Sequence, residues 1–327
     1  MLIRFTLCLA IGLTFATLER ASATPGKIGG VGYADYYYVA AADDADDEPE
    51  KRNAFRFRRL YLTYNQSVSE RFDVRFRLEA NDAGFGDTNG DKRPKMVPFV
   101  KHGYLKWNGA LGGDLYIGLS GTPTWGISES IWGYRPVEKT IMDLNGIGSS
   151  ADVGLGLKGA AGGLRYHVMV ANGPGQRAET DNGKKFYASL SMKPSESMVA
   201  EVYADMNFRP ASQNQLTAKV FLGLQTDAVR FGLEPFIRIN SEAGAGGEDE
   251  TITGASVFGS LPMGDDRVFG RLDMVSNDDT DTTDLFVLAG YDWTVEKSLH
   301  IMPNLYVQLP DGPDPNIQAR VTAYYKF

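Results

Sequence analysis

The chain has almost no cysteine and no long apolar run beyond its first residues. Its 327 residues include one cysteine, Cys8, so a disulfide framework cannot hold the fold together. After residue 24, no stretch approaches the roughly 18 consecutive apolar residues of a transmembrane helix. Helical periodicity is nearly absent there, and so are the signatures of phosphate-binding loops, zinc peptidases and serine hydrolases. These absences exclude a helical membrane protein and argue against an enzyme.

The first residues differ from the rest of the chain. Arg4 precedes an apolar run, Phe5–Ala16, and small residues follow as far as Ala23. A basic start, a short apolar core and small residues at the cleavage point are typical of a secretory signal peptide. A membrane anchor is the alternative, but the run is too short to span a bilayer. We expect residues 1–23 to be a signal peptide cleaved near Ala23, followed by one exported domain, residues 24–327.

Alternation with a period of two runs through the remaining sequence, and residues 71–81 show it most clearly. One face carries Phe72, Val74, Phe76, Leu78 and Ala80. The other carries Arg71, Asp73, Arg75, Arg77, Glu79 and Asn81. An apolar face opposite a densely charged one fits a strand with lipid on one side and water on the other. A soluble β-sandwich also alternates, but it seldom gathers so many charges on one face.

The alternation predicts an all-β fold, a transmembrane antiparallel β-barrel of about sixteen strands. The expected strands are residues 28–39, 55–65, 71–81, 99–107, 114–120, 151–159, 164–172, 184–192, 198–207, 215–225, 229–240, 252–261, 267–277, 285–293, 298–308 and 317–327. Their connections alternate between short and long, as the two rims of such a barrel do. An even strand number lets the first and last strands pair and close the ring. The last strand alternates up to Phe327, an aromatic residue on the apolar face, as outer-membrane barrels commonly end.

Basic residues outnumber acidic ones on the faces that the pattern turns inward. The candidates for lining a pore or binding anions are Arg56, Arg59, Arg75, Arg77, Lys106, Arg165, Arg230, Arg238, Arg271 and Arg320. If the second and third strands form a hairpin around residues 66–70, Arg59 is expected opposite Arg77. Like charges placed opposite one another are tolerated in a wet pore, where they favour anions. The alternative is that these side chains pair with carboxylates such as Asp73 and Glu79 and give no selectivity.

The third long connection, residues 121–150, is the longest and carries unusual apolar content for a loop. Long connections of this composition are ordered and functional. We expect it to fold into the barrel and narrow it. The candidates for the constriction loop are Trp125, Glu129, Trp132, Tyr134, Arg135, Glu138 and Lys139. The alternative is a loop that packs at a subunit interface or over the rim.

Other patterns are weaker. Asp87, Asn89 and Asp91 have the spacing of oxygen ligands in a calcium loop, but Pro98 stands where that loop needs its last Glu. A polar hairpin loop is the simpler interpretation, so we expect neither a metal nor a cofactor. Acidic runs such as residues 43–50, within a chain of formal net charge −8, make nucleic acid an unnatural partner.

Two stretches resemble a known family. Phe57–Leu62, followed by a short turn and Phe72–Glu79, resembles a hairpin of the phosphate-selective porin O/P family. Residues 121–139 are similar to the third loop of that family. Arg59 on the wall and Arg135 and Lys139 in the loop stand at matching positions. The resemblance implies a sixteen-stranded, trimeric porin of the bacterial outer membrane, in contact with lipid and lipopolysaccharide, that passes anions such as phosphate.

The expected function is therefore a porin, a water-filled channel for passive diffusion of small hydrophilic solutes and ions, with a preference for anions. One alternative is a general porin that is non-selective or prefers cations. A second is a structural or adhesive barrel without transport. A third is an outer-membrane enzyme such as a lipase, for which the sequence offers no suitably placed Ser and His.

Overall fold

The computed structural model describes residues 25–42, 49–81, 96–244 and 247–327. They form a closed antiparallel barrel in which each strand pairs with its sequence neighbours and β16 pairs with β1. The strands are β1 Lys27–Ala41, β2 Asn53–Ser69, β3 Phe72–Asn81, β4 Phe99–Ala110, β5 Gly113–Gly121, β6 Ala151–Ala161, β7 Leu164–Ala171, β8 Lys184–Ser195, β9 Met198–Phe208, β10 Gln215–Gln225, β11 Arg230–Asn240, β12 Glu250–Met263, β13 Asp266–Asn277, β14 Thr282–Glu296, β15 Leu299–Leu309 and β16 Asn316–Lys326. All sixteen expected strands are confirmed.

Two sequence predictions cannot be compared with this structure. The expected signal peptide, residues 1–23, lies outside the described residues, and so does the weak calcium candidate at Asp87, Asn89 and Asp91. Within the described ranges, no helix is long and apolar enough to cross a membrane.

The outer surface of the barrel is apolar because alternate side chains of every strand point away from the lumen. Val202, Val220, Leu222, Leu272 and Leu305 are among the large apolar side chains left exposed. Leaving a Val, Leu or Phe side chain in water forfeits about 1.5–3 kcal/mol relative to burial, so dozens of them would make a water-facing surface very unfavourable. Such a band is suited to lipid.

Aromatic side chains flank this band on both sides. Near the rim with long loops, the exposed aromatic residues are Tyr36, Tyr38, Phe55, Phe186 and Phe208. Near the rim with short turns, they are Phe231, Trp293, Tyr325 and Phe327. Amphipathic rings at two levels are the usual arrangement where a barrel meets the two interfaces of a bilayer.

The connections alternate in length, as the sequence predicts. Those after even-numbered strands are tight; Gly162 and Gly163 both have positive φ, as the commonest two-residue hairpin turn requires. Those after odd-numbered strands include residues 122–150 and 172–183. We call the two ends of the barrel the short-turn rim and the long-loop rim. Strand β1 begins, and strand β16 ends, at the short-turn rim.

The seam between β1 and β16 closes the barrel. Backbone hydrogen bonds join Gly30 and Phe327 in both directions, at 2.8 and 3.0 Å. The ring of Phe327 covers Gly30 and the ring of Tyr325 covers Gly32, and a Cβ on either glycine would lie within 2.4 Å of ring atoms. The terminal aromatic side chains thus fill gaps that only glycine leaves on the first strand. Phe327 keeps 64% of its surface exposed, on the apolar outer face as predicted.

The third long loop folds into the lumen, which confirms that prediction. It contains two short helices, α1 Gly126–Trp132 and α2 Ile141–Leu144. Helix α1 packs against β10 and β11, and α2 packs against β12. The loop therefore covers one side of the inner wall, contacts β2 at Arg58, and leaves most of the side formed by β3–β6 open.

The predicted register of the β2–β3 hairpin is wrong. Arg59 lies opposite Asn81, and Arg77 lies opposite Thr63 rather than Arg59. Strand β2 continues to Ser69 and the turn is tighter than expected, so each partner lies about four positions further along β3 than predicted. The two arginines are consequently offset along the wall instead of facing each other.

Candidate functional site

Aromatic packing holds the inward loop against the barrel wall. Trp132 is fully buried and meets the ring of Phe258 edge-on at 5.2 Å between centroids. Tyr134 stacks on Phe269 at 4.2 Å. The indole nitrogen of Trp132 donates to the carbonyl of Glu138 at 2.9 Å, so its polar atom is satisfied as well. This apolar contact explains why a loop at a channel entrance carries so many large hydrophobic residues.

A second apolar cluster fixes the other half of the loop. Trp125, Ile141 and Met142 are buried against inward side chains of β7–β9 and β11, among them Tyr187 and Phe236. The predicted constriction residues Trp125, Trp132 and Tyr134 therefore belong largely to the anchoring face of the loop. Their size suits them to filling space against the wall, where burial of an aromatic side chain is most favourable.

Charged contacts complete the anchoring. Arg58 donates to the carbonyl of Val137 at 2.6 Å. The Glu138 carboxylate lies 3.5 Å from the guanidinium of Arg58 and 3.4 Å from that of Arg320. Burial alone would raise the pKa of Glu138, but Arg58 and Arg320 outweigh it and lower the pKa to about 2. Glu138, expected at the constriction, instead ties the loop to β2 and β16.

Three of the ten predicted pore-lining residues are covered by the loop. Arg238, Arg271 and Arg320 expose only 9, 4 and 6% of their surface. Arg271 donates to the carbonyl of Lys139 and pairs with Asp273, while Arg238 donates to the carbonyl of Gly146 at 3.4 Å. They point inward as predicted, but they hold the loop and do not face the open channel.

The lumen-facing side of the loop carries a chain of charges. Arg135 lies 3.0 Å from Glu129 and 3.1 Å from Asp143. Lys139 is half-buried, and its backbone amide donates to the Glu138 carboxylate at 3.0 Å. Glu129 and Arg135 are thus the predicted constriction residues that do face the passage. Arg135 neutralises one of the two carboxylates beside it, so one negative charge remains on this side of the loop.

The open wall presents cations of a different kind. Arg75 is tethered through Nε to Asn65 at 2.6 Å, and Arg77 through Nε to Thr63 at 2.8 Å. Lys158 lies over the ring of Tyr116 at 4.4 Å. In the part of the chain that the structure describes, no carboxylate comes within 4 Å of Arg75, Arg77 or Lys158. These three residues, which we call the basic strip, are held in place without being neutralised.

Of the remaining predicted cations, three have carboxylate partners. Arg56 pairs with Asp35 at 3.2 Å. Arg59 pairs with Glu79 at 3.0 Å, and Lys106 with Asp73 at 2.9 Å. Arg165 is exposed toward the short-turn rim, and the guanidinium of Arg230 packs against the Gly133 backbone. Pairing with carboxylates, the alternative expected from the sequence, therefore holds for part of the predicted cations. The basic strip is the part of them that such pairing does not neutralise.

Two functional residues were missed because bulges turn them inward. Arg58 and Arg59 are adjacent, yet both reach inner-wall partners, since the β1–β2 register shifts between Tyr33 and Ala34. Lys101 pairs with Glu79 at 3.1 Å from a bulge in β4. The sequence did contain a signal for the bulge in β2. Charged residues occupy both the even and the odd positions of residues 56–59, and only a bulge lets such side chains share a face.

Two residues of the basic strip and the loop line one cavity, which we call the passage. It has a volume of about 1180 Å³ and is lined by Arg75 and Arg77 on the wall, by Glu129 and Arg135 on the loop, and by Arg230 on the far side. Among the described residues, no group of three His, Asp or Glu side chains is arranged to hold a metal ion.

Solved porin structures share this fold. An anion-selective porin from Comamonas acidovorans is 14% identical, with 93% of this chain and 100% of that chain covered at a TM-score of 0.67. The outer membrane channel DcaP of Acinetobacter baumannii is 14% identical, with 94% and 98% covered at 0.67. OmpF of Salmonella typhi is 10% identical, with 92% and 97% covered at 0.64. No family model and no curated protein sequence matches the chain. The chain has the porin fold; identities this low show the fold alone.

Proposed function

We propose that this protein is an outer-membrane channel for passive diffusion of small hydrophilic solutes and ions, and that it prefers anions. The observation that carries the preference is the basic strip. Arg75, Arg77 and Lys158 face the lumen without a carboxylate within 4 Å in the described residues, whereas the loop carboxylates opposite are tied to Arg135 or to buried arginines.

Charge of one sign on the wall of a narrow passage sets which ions enter. Rings or ladders of Arg and Lys favour anions, because a low-dielectric wall focuses their field into the lumen. Guanidinium groups also match the geometry of phosphate and carboxylate oxygens. The Nε atoms of Arg75 and Arg77 are occupied by Asn65 and Thr63, which leaves their terminal nitrogens to meet a passing anion.

The comparisons support this proposal at the level of fold. One similar structure is that of an anion-selective porin, and two stretches of the sequence resemble the phosphate-selective porin O/P family; both agree with a preference for anions. A homotrimer in the bacterial outer membrane is part of the same proposal. The apolar band with its two aromatic belts supports the membrane location.

Planar bilayers test the channel and its selectivity together. We expect stepwise, ohmic conductance, and a reversal potential in a KCl gradient whose sign reports chloride as the more permeant ion. The double variant Arg75→Gln/Arg77→Gln should lower the anion-to-cation permeability ratio by about twofold or more, because it removes charge that nothing else neutralises.

The matched control is Arg177→Gln/Lys193→Gln. Both side chains are exposed and neither lines the passage, so this variant also removes two positive charges, away from the basic strip. Absence of conductance steps would refute the channel. Cation preference of the unmodified protein, or equal effects of control and double variant, would refute the assignment of selectivity to the basic strip.

A further inference from the structure

A second cavity, of about 540 Å³, lies beside the passage near the short-turn rim. Its lining includes Lys27, Asn65, Arg75, Tyr104, Tyr116 and Lys158. We propose that this cavity is a solute-binding site for a small sugar that carries an anionic group, of the size of a hexose phosphate. The proposal rests on the function proposed above and names the solute class that the channel is built to pass.

The lining of the cavity carries positive charge that its own carboxylate does not neutralise. Lys158 and Arg75 reach it from β6 and β3, and neither has a carboxylate within 4 Å among the described residues. The acidic side chain that lines it, Asp73, already accepts from Lys106 at 2.9 Å, Ser67 at 2.5 Å and Asn108 at 3.1 Å. A carboxylate with three donors has little capacity left to neutralise the others. An incoming anion can therefore take the place of a missing counter-charge.

The cavity also offers uncharged groups suited to a sugar. The rings of Tyr104 and Tyr116 meet edge-on at 5.2 Å between centroids. Neither phenol hydroxyl has a hydrogen-bond partner in the described part of the chain, so both can donate to or accept from a ligand. Asn65 accepts from Arg75 through its oxygen, which leaves its amide nitrogen free to donate. Hydroxyl and amide groups beside ring edges suit a polyhydroxylated ring better than a lipophilic anion.

The size of the cavity also favours a sugar that carries an anionic group. Pockets that hold organic ligands begin at about 300 Å³, and this cavity exceeds that. An inorganic ion would fill a small part of it and leave the tyrosine hydroxyls unused. A hexose phosphate has an anionic group for the cations and ring hydroxyls for the tyrosines and Asn65.

The position of the cavity links it to the passage. Arg75, Asn65 and Lys27 line both cavities, so the two spaces are contiguous. Arg77 and Arg75 are two residues apart on one strand, about 6.6 Å. A solute that leaves Arg77 meets Arg75 next and can then bind beside Lys158. Such a site would make conduction of the favoured solute saturable.

Block of single-channel chloride current measures occupancy of the site. We compare glucose 6-phosphate, inorganic phosphate and glucose on the intact protein in planar bilayers. Glucose 6-phosphate should block at concentrations about tenfold lower than either of the others, because only it engages the cations and the hydroxyl-lined part together.

Three variants test whether the block by glucose 6-phosphate occurs in this cavity. Lys158→Gln should raise the half-blocking concentration of glucose 6-phosphate by about tenfold, the usual value of one charge-assisted hydrogen bond. Tyr116→Phe keeps the ring and removes the hydroxyl, so a smaller rise of about threefold is expected. Lys193→Gln, which removes a charge at another cavity, should leave block unchanged.

The failures of the two proposals are distinguishable. A channel that conducts and prefers anions, but is blocked equally by glucose 6-phosphate and phosphate, overturns the sugar site and leaves the channel proposal standing. Equal shifts from Lys158→Gln and Lys193→Gln would reduce the effect to general charge and also overturn the site. A protein without conductance overturns the channel proposal itself.

Discussion

The two sides of the inner wall use the same residue types for different purposes. On the side covered by the loop, Arg271, Arg320 and Arg238 are buried against carboxylates and loop carbonyls. On the open side, Arg75 and Arg77 are held only by neutral side chains. An inward arginine is therefore a structural anchor where the loop covers it, and a selectivity group, under the proposed function, where it is open to the lumen.

The difference follows from the cost of burying charge. A cation removed from water needs a hydrogen-bonded partner, and losing that partner costs several kcal/mol. Arg271 and Arg320 accordingly have carboxylate partners, and Arg238 donates to the carbonyl of Gly146. A cation that faces a water-filled passage keeps its hydration and can remain unpaired until an anion arrives.

Removing the apolar contacts that anchor the loop should have the largest effect on the difference between the covered and the open side of the wall. Trp132→Ala deletes a fully buried side chain that packs on Phe258, which costs about 3–5 kcal/mol. We expect the loop to leave the covered wall and single-channel conductance to rise, while the barrel itself stays folded. Heat-modifiable gel mobility checks the barrel. Unchanged conductance in a folded barrel would mean that the loop is held without this contact.

Removing the charged part of the anchor should have a smaller effect. Glu138→Gln keeps the shape but withdraws the negative charge from Arg58 and Arg320, at about 1.5–3 kcal/mol. We expect noisier open-channel current without a full change in conductance. Glu129→Gln is the matched control, since Glu129 pairs with Arg135 on the lumen side and is partly exposed. Equal noise in both variants would contradict the distinction between the two faces of the loop.

Acid should leave the anchor intact over a wide range. The pKa of Glu138 is lowered from 4.5 to about 2, so its stabilising contribution is fully present above pH 4.5 and is lost as pH falls through 2. The groups that face it are Arg58, Arg320, Arg271 and the Lys139 amide. Open-channel noise should therefore stay at its neutral-pH level from pH 7 to 4.5. A rise in noise within that range, absent in Glu138→Gln, would contradict the lowered pKa.

The sequence predicts the barrel well because side-chain alternation depends on each strand alone. All sixteen strands, the alternating connections and the inward loop are visible in it. The register of β2 on β3 is not, because the partner of Arg59 depends on where a turn closes and on a bulge. Nor does alternation show that Arg320 is covered and Arg77 open, since that depends on a loop far away in sequence. Arg58 shows the same limit, because a bulge reverses its face.

The seam where Phe327 and Tyr325 cover Gly30 and Gly32 has a consequence for assembly. It joins residues almost 300 positions apart, so it is the contact with the largest loop-closure entropy in the barrel. We expect it to form last, after the intervening hairpins have assembled one on another. The two rings can cover their glycines only when every strand between β1 and β16 is in register. A barrel with one slipped strand would therefore lack this contact and keep an open, aggregation-prone edge.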